Sequence, residues 1–336
     1  MKKIFYVLLV LFLIIIFVKP DIYPVSACEN QHPTSLFSDK EASTICIDSK
    51  NIYDFNDNDP ENIAIPGHLY FPPNIDSPVS LIIISHGAGG IFRFHYDYKD
   101  MMLRHGYAVL IIDHFTPRDT IIDFTFKYVT EPMMVSDVIN SAKILRTHPR
   151  LNGKIGYIGW SKGGIGPILL KNKHLYDKLV YKNDFEFLAG VYTYCGFDID
   201  KENVTDIPML LISGNKDKIT PASYCSELIS KLNDENIEYH ILADAYHGFD
   251  NYAFFFGSYL PWQPVLNANT DKCLLKISPI FQTVNLNDNM DLSSLKNRTR
   301  FLDECTSQGA YVQYNSQPSI DAKKILMMFI NKHMPN

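Results

Sequence analysis

The chain has 336 residues, of which 46% are hydrophobic, 13% aromatic and 20% charged, and its formal net charge is −6. This composition excludes intrinsic disorder, because so many apolar side chains can bury enough surface to offset the entropy lost on ordering. A mildly acidic chain without a basic block also lacks the electrostatic footprint of a nucleic-acid-binding protein. The length predicts one large domain or two small ones.

The chain begins with a short apolar segment. Two lysines precede fifteen apolar residues at positions 4–18, and the small residues Val25, Ser26 and Ala27 follow. At ~1.5 Å per residue the apolar run spans roughly 22 Å, less than a ~30 Å hydrocarbon core. The pattern is typical of a secretory signal peptide covering residues 1–27, so we expect export to the periplasm or the medium.

Two alternatives for this segment stay open. The sequence from Val25 to Cys28 resembles a bacterial lipoprotein box, which would place a lipid on Cys28. However, Lys19 and Asp21 separate the apolar run from the box, which normally follows the run directly. The segment could also remain as an uncleaved anchor. Membrane contact is expected only through this segment or through that lipid.

Six cysteines form an even number in a chain expected to be exported, which favours disulfides over thiols. No C-x-x-C pair or Cys/His cluster has zinc spacing, so no structural metal is expected. Buried thiols are the alternative for some of the six. Proximity along the chain suggests the pairs Cys28 with Cys46 and Cys273 with Cys305, which leaves Cys195 with Cys225.

Short apolar runs alternate with helical patterns between residues 80 and 245. The runs are residues 79–85, 107–113, 154–160, 187–194, 209–214 and 238–243. Continuous apolar character indicates strands buried on both faces, as in a parallel sheet covered by helices. Helical patterns occur at residues 131–148, 221–232 and 319–333. The sequence therefore predicts a doubly wound α/β sheet, in which ligands bind beyond the carboxyl ends of the strands.

Residues 250–315 interrupt this alternation, and they are far too many for an ordinary connection between elements. The segment begins with several aromatic residues, continues with an Asn- and Asp-rich run, and contains two cysteines. We expect an insertion into a single domain of residues 28–336. A lid over the site is one interpretation of the insertion, and a surface decoration far from the chemistry is the other.

A serine motif follows the third of these runs, where Gly159-x-Ser161-x-Gly163 joins a buried strand to a helix. A nucleophile at such a sharp turn needs flanking glycines, because backbone and helix approach too closely for a Cβ. A serine nucleophile also needs a base oriented by an acid, and in this strand–turn–helix arrangement the chain order is Ser, acid, His. Asp217 and His247 each follow a later strand in that order, while Asp244 and Asp250 are rival acids.

A glycine-rich loop, residues 85–90, follows the first strong strand, where one donor of an oxyanion hole is expected. We favour the backbone N–H of Ala88, with Gly89 next, and expect the second donor to be the N–H of Lys162. The loop matches neither the phosphate-binding nor the dinucleotide-binding glycine pattern, so no nucleotide cofactor is expected.

Together these residues resemble the dienelactone hydrolase family of α/β-hydrolases, in its exported branch with a serine nucleophile. The resemblance covers roughly residues 60–250 and the final helix. Five motifs carry it: Ser-His-Gly-Ala-Gly-Gly from Ser85, the run from Gly106 to Arg118, Gly-Trp-Ser-Lys-Gly-Gly from Gly159, Asp217-Lys-Ile-Thr-Pro, and Tyr-His-Gly-Phe-Asp from Tyr246. It implies a triad of Ser161, Asp217 and His247, no cofactor, and a Cys195–Cys225 pair that tethers a strand to the next helix.

The chain departs from the family in two respects. The name-giving enzymes use a cysteine nucleophile, whereas this chain has serine, which favours broader ester hydrolysis over dienelactone itself. The long segment after His247 is also atypical. Arg118 is a candidate anchor for a substrate carboxylate, with a structural ion pair as its alternative, and Trp160 is a second candidate substrate contact.

The function predicted from these features is that of a serine carboxylic-ester hydrolase, acting through an acyl-enzyme on a small or medium ester or lactone. A lipase, a phospholipid deacylase or a peptidase of the same fold is the main alternative, because the triad alone does not select the acyl group. A non-catalytic binding protein on the same scaffold is a further alternative.

Overall fold

The structure is a computed structural model that describes residue 28 and residues 42–74, 76–180, 185–267 and 273–335. The expected signal peptide, residues 1–27, lies outside these ranges. Within them, no helix combines the length and the apolar character that crossing a bilayer requires.

An eight-stranded sheet forms the centre of the molecule. Its strands lie in the order β1-β2-β4-β3-β5-β6-β7-β8, and all neighbours from β4 onwards are parallel, while β2 is antiparallel to both β1 and β4. The strands are β1 Ala42–Lys50, β2 Asn62–Tyr70, β3 Val79–Ser85, β4 Ala108–Ile112, β5 Leu151–Trp160, β6 Phe187–Val191, β7 Met209–Gly214 and β8 Ile237–Leu242. The predicted mostly parallel α/β sheet is confirmed, whereas β1 and β2 were not predicted.

Helices cover both faces of this sheet. The helices in the described part of the chain are α1 Arg93–Arg104, α2 Glu131–Leu145, α3 Ile165–Lys171, α4 Lys173–Leu179, α5 Ala222–Leu232, α6 Leu295–Cys305 and α7 Ser316–His333. One core contains side chains of α1 and α7, and the core on the other face contains those of α2, α3 and α5. Isoleucines 82–84 in β3 are fully buried, and each such side chain contributes about 1.5–3 kcal/mol of transfer free energy.

The inserted segment has its own secondary structure. Strand β9 (Ser258–Leu266) pairs antiparallel with β12 (Thr306–Val312), and β10 (Leu275–Ile277) pairs with β11 (Thr283–Asn285). Helix α6 lies between β11 and β12 in the chain. A hydrogen bond from Leu275 N to Gly196 O joins the segment to the loop that follows β6, at the carboxyl edge of the sheet.

Two of the three expected disulfides are present. They join Cys28 to Cys46 in β1 and Cys195 to Cys225 in α5, with Cα–Cα distances of 5.5 and 4.8 Å. A sulfur in a disulfide cannot carry a thioether lipid, so the first bond counts against a lipid on Cys28.

The third expected pair, Cys273 with Cys305, is not confirmed as a disulfide. The two residues are nevertheless buried together, with Cys273 Sγ 3.1 Å from the carbonyl oxygen of Cys305. Proximity along the chain therefore located these two cysteines correctly without establishing a bond between them.

Candidate active site

Ser161 lies at a sharp turn between β5 and α3, in a short 3₁₀ turn, Ser161–Gly164. Its φ is +51°, a left-handed value that is costly for a residue with a Cβ and is often retained at functional sites. A Cβ on Gly159 would lie 2.1 Å from Gly163 O, and one on Gly163 would lie 2.4 Å from Ser85 O. Close backbone packing around Ser161 therefore requires both glycines of the motif.

Ser161, His247 and Asp217 form one hydrogen-bonded chain. His247 Nε2 lies 2.9 Å from Ser161 Oγ, and His247 Nδ1 lies 2.8 Å from Asp217 Oδ2. The Asp217 side chain is fully buried, while that of His247 retains 14% exposure towards the cavity. The loops after β5, β7 and β8 carry the three residues, so the parallel sheet aligns them at one edge.

Asp217 is held rigidly by its own loop. Its Oδ1 accepts the backbone N–H groups of Ile219 and Thr220 at 2.8 and 2.9 Å, which leaves Oδ2 facing the imidazole. The rival acid Asp244 forms an exposed ion pair with Lys216 instead. The acid in contact with His247 is therefore Asp217.

The second rival acid, Asp250, is buried beneath the candidate site and contacts three aromatic side chains. Its buried carboxylate accepts hydrogen bonds from Tyr192 Oη at 2.7 Å, Tyr98 Oη at 3.0 Å and Trp160 Nε1 at 3.2 Å. Burial raises the pKa of Asp250, and these hydrogen bonds offset the rise only in part. The Tyr192 ring packs edge-on against His247 at a centroid distance of 4.9 Å, so Asp250 helps to orient the imidazole.

The glycine-rich loop lies against the nucleophile. A Cβ on Gly87 would lie 3.1 Å from Ser161 Cβ, and Ala88 and Gly89 line the same cavity as Ser161 and His247. The structure therefore brings the two predicted oxyanion segments, this loop and the turn containing Lys162, to one place.

A buried ion pair joins these two segments. Lys162 Nζ donates to Asp123 Oδ2 at 2.8 Å with both side chains fully buried, and Asp123 N–H donates to Ala88 O at 2.9 Å. Burial by itself would raise the pKa of Asp123, but the Lys162 charge and several hydrogen bonds outweigh burial and lower the pKa to about 2. Through Asp123, the Lys162 side chain thus connects the turn that contains Ser161 to the glycine-rich loop that contains Ala88.

Replacing Lys162 by Met is expected to destabilise the fold by about 3–5 kcal/mol at pH 7, because a buried carboxylate loses its partner. The backbone N–H remains, so kcat should fall by less than the roughly 10²–10³-fold cost of a lost oxyanion donor. Urea unfolding and p-nitrophenyl acetate kinetics measure the two effects.

The same variant has an expected pH dependence. The lowered pKa of Asp123 gives stability that is fully present above the unfolded pKa of ~3.9 and is lost as pH falls through about 2. The stability difference between wild type and Lys162→Met should therefore shrink between pH 4 and pH 2. A difference that stays constant over this range would contradict a role for the Asp123 charge. Lys216→Met, which breaks an exposed pair, is the matched control.

Arg118 does not contact the cavity. Its Nη1 and Nη2 donate to the buried Asp137 carboxylate at 2.8 and 3.1 Å, and its Nε donates to Asn51 Oδ1. Asp137 also binds His114, whose Nε2 lies 2.8 Å from Ser85 Oγ at the start of the glycine-rich loop. Arg118 is therefore a structural residue that supports this loop, and the expectation of a substrate-carboxylate anchor is not supported.

A cavity that is open to solvent contains Ser161 and His247. Trp160, whose side chain is fully buried, is among the lining residues, most of which are apolar, and its contact with substrate stays a prediction. The inserted segment contributes Leu260, Leu275, Leu292, Phe301 and Val312 to the cavity wall, so part of the segment lies at the site. The decoration interpretation of the insertion is therefore not supported, and the lid interpretation stays a prediction. Among the described lining residues, Glu131 and Arg298 are charged, and His95, His247, Tyr192 and Tyr194 are titratable.

Sequence reasoning missed Asp123, Tyr192, Glu131 and Arg298. No local motif marks them, because each reaches the site only through tertiary packing. The described residues contain no group of three or more His, Cys, Asp or Glu side chains arranged to hold a metal ion.

Comparison with known proteins gives one family. The dienelactone hydrolase family model matches residues 65–254, more than half of the chain. No curated protein matches the sequence.

Several solved structures are similar to part of this chain. A dienelactone hydrolase from Anabaena variabilis is 16% identical (62% of this chain, 89% of that one, TM-score 0.45). A putative dienelactone hydrolase from Klebsiella pneumoniae is 20% identical (62% and 88%, TM-score 0.42). XC6422 from Xanthomonas campestris, described as an α/β serine hydrolase without a lid, is 15% identical (63% and 88%, TM-score 0.43).

Proposed function

We propose that this chain, which belongs to the dienelactone hydrolase family, is a serine carboxylic-ester hydrolase acting on a small or medium ester or lactone. The observation that carries the proposal is the hydrogen-bonded chain from Ser161 through His247 to the buried Asp217. An imidazole oriented by a carboxylate is the group that a serine hydroxyl needs to become a nucleophile.

The first half-reaction forms an acyl-enzyme. Ser161 Oγ attacks the ester carbonyl while His247 Nε2 takes its proton, and Asp217 stabilises the imidazolium that results. The backbone N–H groups of Lys162 and of Ala88, or of Gly89 in its place, bind the oxyanion of the tetrahedral intermediate. The imidazolium then donates its proton to the leaving alcohol, and the carbonyl reforms on Ser161.

The second half-reaction releases the acid. His247 removes a proton from water, the resulting hydroxide attacks the acyl carbon, and the proton passes to Ser161 Oγ as the C–O bond breaks. We place this chemistry outside the cytoplasm, as an exported enzyme. Disulfides Cys28–Cys46 and Cys195–Cys225 support that location, because such bonds persist in oxidising compartments.

The acyl-enzyme step predicts burst kinetics. When enzyme is mixed rapidly with excess p-nitrophenyl acetate, we expect up to one equivalent of p-nitrophenol to appear before the slower steady state. The expectation holds if deacylation is slower than acylation, which activated aryl esters favour. A folded protein that releases no p-nitrophenol, in the burst or afterwards, would instead favour the non-catalytic binding alternative.

A further inference from the structure

Strands β9 and β12 of the inserted segment form a two-stranded ribbon with two different faces. Leu260 and Val312 line the cavity that contains Ser161, and they share a small apolar core. Tyr259 and Tyr311 are paired in register at the neighbouring positions of the two strands, and both are exposed. Because successive side chains of a strand point to opposite faces, these tyrosines lie on the outer face of the ribbon.

The outer face of the ribbon belongs to a larger group of exposed aromatic rings. The Tyr311 side chain reaches across to Gly257, where a Cβ would overlap its hydroxyl oxygen, and Gly257 directly follows Phe256. Phe256 is 93% exposed, and its ring packs against that of Phe255 at a centroid distance of 5.1 Å. Single exposed apolar side chains are ordinary, but a cluster of them marks an interaction site. We define the outer aromatic surface as the exposed rings of Phe255, Phe256, Tyr259, Trp262 and Tyr311.

The two strands and their flanking turns carry no charge. Residues 251–267 and 306–320 contain no Asp, Glu, Lys or Arg, although 20% of the whole chain is charged. A partner recognised by its charge therefore finds no complementary group in these segments. A protein partner is normally met by a polar rim around the apolar centre of the interface. Exposed Trp, Tyr and Phe rings in uncharged surroundings are instead typical of segments that lie at a bilayer surface.

From this arrangement we propose that the outer aromatic surface docks on a lipid surface with zwitterionic headgroups, such as phosphatidylcholine. This contact is separate from the one expected through residues 1–27. Both strands of the ribbon lie beyond residue 254, where the family-model match ends, so the docking surface belongs to the part of the chain outside that match.

Docking has a consequence for substrate choice. The inner face of the ribbon lines a mostly apolar cavity, so the lipid lies on the other side of the same ribbon from the cavity. The substrate class is then an ester that partitions into lipid. This consequence rests on the proposed esterase function, whereas docking itself does not.

Trp262 gives a local readout of docking. The chain has two tryptophans, of which Trp160 is fully buried and Trp262 is 58% exposed. Phosphatidylcholine vesicles with brominated acyl chains are added to full-length Ser161→Ala protein, which leaves the lipid esters intact. Brominated chains quench an indole that enters the lipid, so we expect quenching of the tryptophan emission, and its loss in Trp262→Phe. Binding through residues 4–18 alone would leave the Trp262 emission unquenched.

Variants assign the docking to the outer aromatic surface. Phe255→Ser with Phe256→Ser should lower the ratio of quenched to unquenched emission by about tenfold or more, because burying one Phe is worth at least that factor. Ile280→Ser with Met328→Ser removes two exposed apolar side chains elsewhere and is the matched control. The ratio should not change in the control or at high salt, because no charge takes part. Melting temperatures of all variants should match that of the parent.

A turnover test connects docking to substrate choice. Wild type and the Phe255→Ser, Phe256→Ser variant are compared on p-nitrophenyl acetate in solution and on p-nitrophenyl palmitate held in phosphatidylcholine vesicles. Neither phenylalanine lines the cavity, so the rate on the acetate should be unchanged. The rate on the palmitate should fall by about tenfold or more in this variant and stay at the wild-type value in the control.

The outcomes separate docking from the esterase function. Docking is overturned if Trp262 is not quenched, if quenching requires anionic lipid, or if the surface variant is quenched as strongly as its control. It is also overturned if, without quenching, the surface variant abolishes a dimer or retention on an insoluble polysaccharide. In each of these cases, hydrolysis of the acetate by wild type leaves the esterase proposal standing. Quenching by a wild type that hydrolyses no ester supports docking and overturns the esterase proposal.

Discussion

Ser161→Ala is expected to lower kcat for p-nitrophenyl acetate by about 10⁶-fold, to the residual level that binding and oxyanion stabilisation alone provide. The hydroxyl oxygen is the atom that bonds to the acyl carbon, and it lies 2.9 Å from His247 Nε2, the nitrogen that faces the cavity side of the triad. Alanine retains a Cβ at φ +51°, so it neither relieves nor adds backbone strain at the turn. The melting temperature should therefore change little.

The control for this variant is Ser226→Ala, which removes a hydroxyl from the exposed face of α5. It should leave kcat and KM unchanged. Activity of Ser161→Ala above about 1% of wild type, in a preparation free of contaminating esterase, would contradict nucleophilic attack by this residue.

Asp217→Asn is expected to lower kcat by about 10⁴-fold while leaving the fold intact. Backbone N–H groups of Ile219 and Thr220 hold Oδ1, so the asparagine keeps its oxygen there and turns its amide nitrogen towards His247. An N–H donor facing Nδ1 moves the imidazole proton to Nε2. In that tautomer His247 cannot accept the proton of Ser161, and catalysis is lost although all contacts remain.

Asp244→Asn is the matched control, because Asp244 precedes the same histidine in the sequence but forms an exposed pair with Lys216. Its kcat should equal that of wild type. If Asp244→Asn lost more activity than Asp217→Asn, the orienting acid would have been assigned to the wrong strand. Steady-state kinetics of the two variants, with circular dichroism to verify folding, decide between them.

The central sheet could be predicted because its parallel strands leave a strong local signal. Strands buried on both faces are continuously apolar, and Val79–Ser85 and Met209–Gly214 have the predicted bounds. Strand β1 was missed because its burial alternates, which dilutes its apolar content. Strand β2 is buried continuously from Ile65 to Leu69, but Pro66, Gly67 and His68 interrupt its apolar run. The predicted triad followed from the sheet, since Ser161, Asp217 and His247 each lie in the segment that follows a parallel strand.

The charged groups around the triad could not be predicted in this way. Arg118 stands in a family motif, yet its guanidinium is occupied by Asp137, which lies on a helix and carries no motif. Arg298 stands in no motif, yet it lines the cavity. Which arginine lines the cavity depends on partners distant in sequence, and only the packed structure brings those partners together.

The structure of the inserted segment could likewise be predicted only in part from the sequence. Its length and aromatic start predicted an excursion near the site, and the pairing of β9 with β12 and the position of α6 place its side chains in the cavity wall. Local pattern could not assign these elements, because β9 and β12 are half exposed and β10 and β11 have only three residues each.

The most direct test of the central claim is covalent trapping of the nucleophile by a fluorophosphonate probe, read by intact-protein and peptide mass spectrometry. We predict one phosphonyl adduct per folded molecule, located on Ser161, and none after Ser161→Ala. A folded, unlabelled wild-type protein, or an adduct on any other residue, would contradict the assignment of Ser161 as the nucleophile.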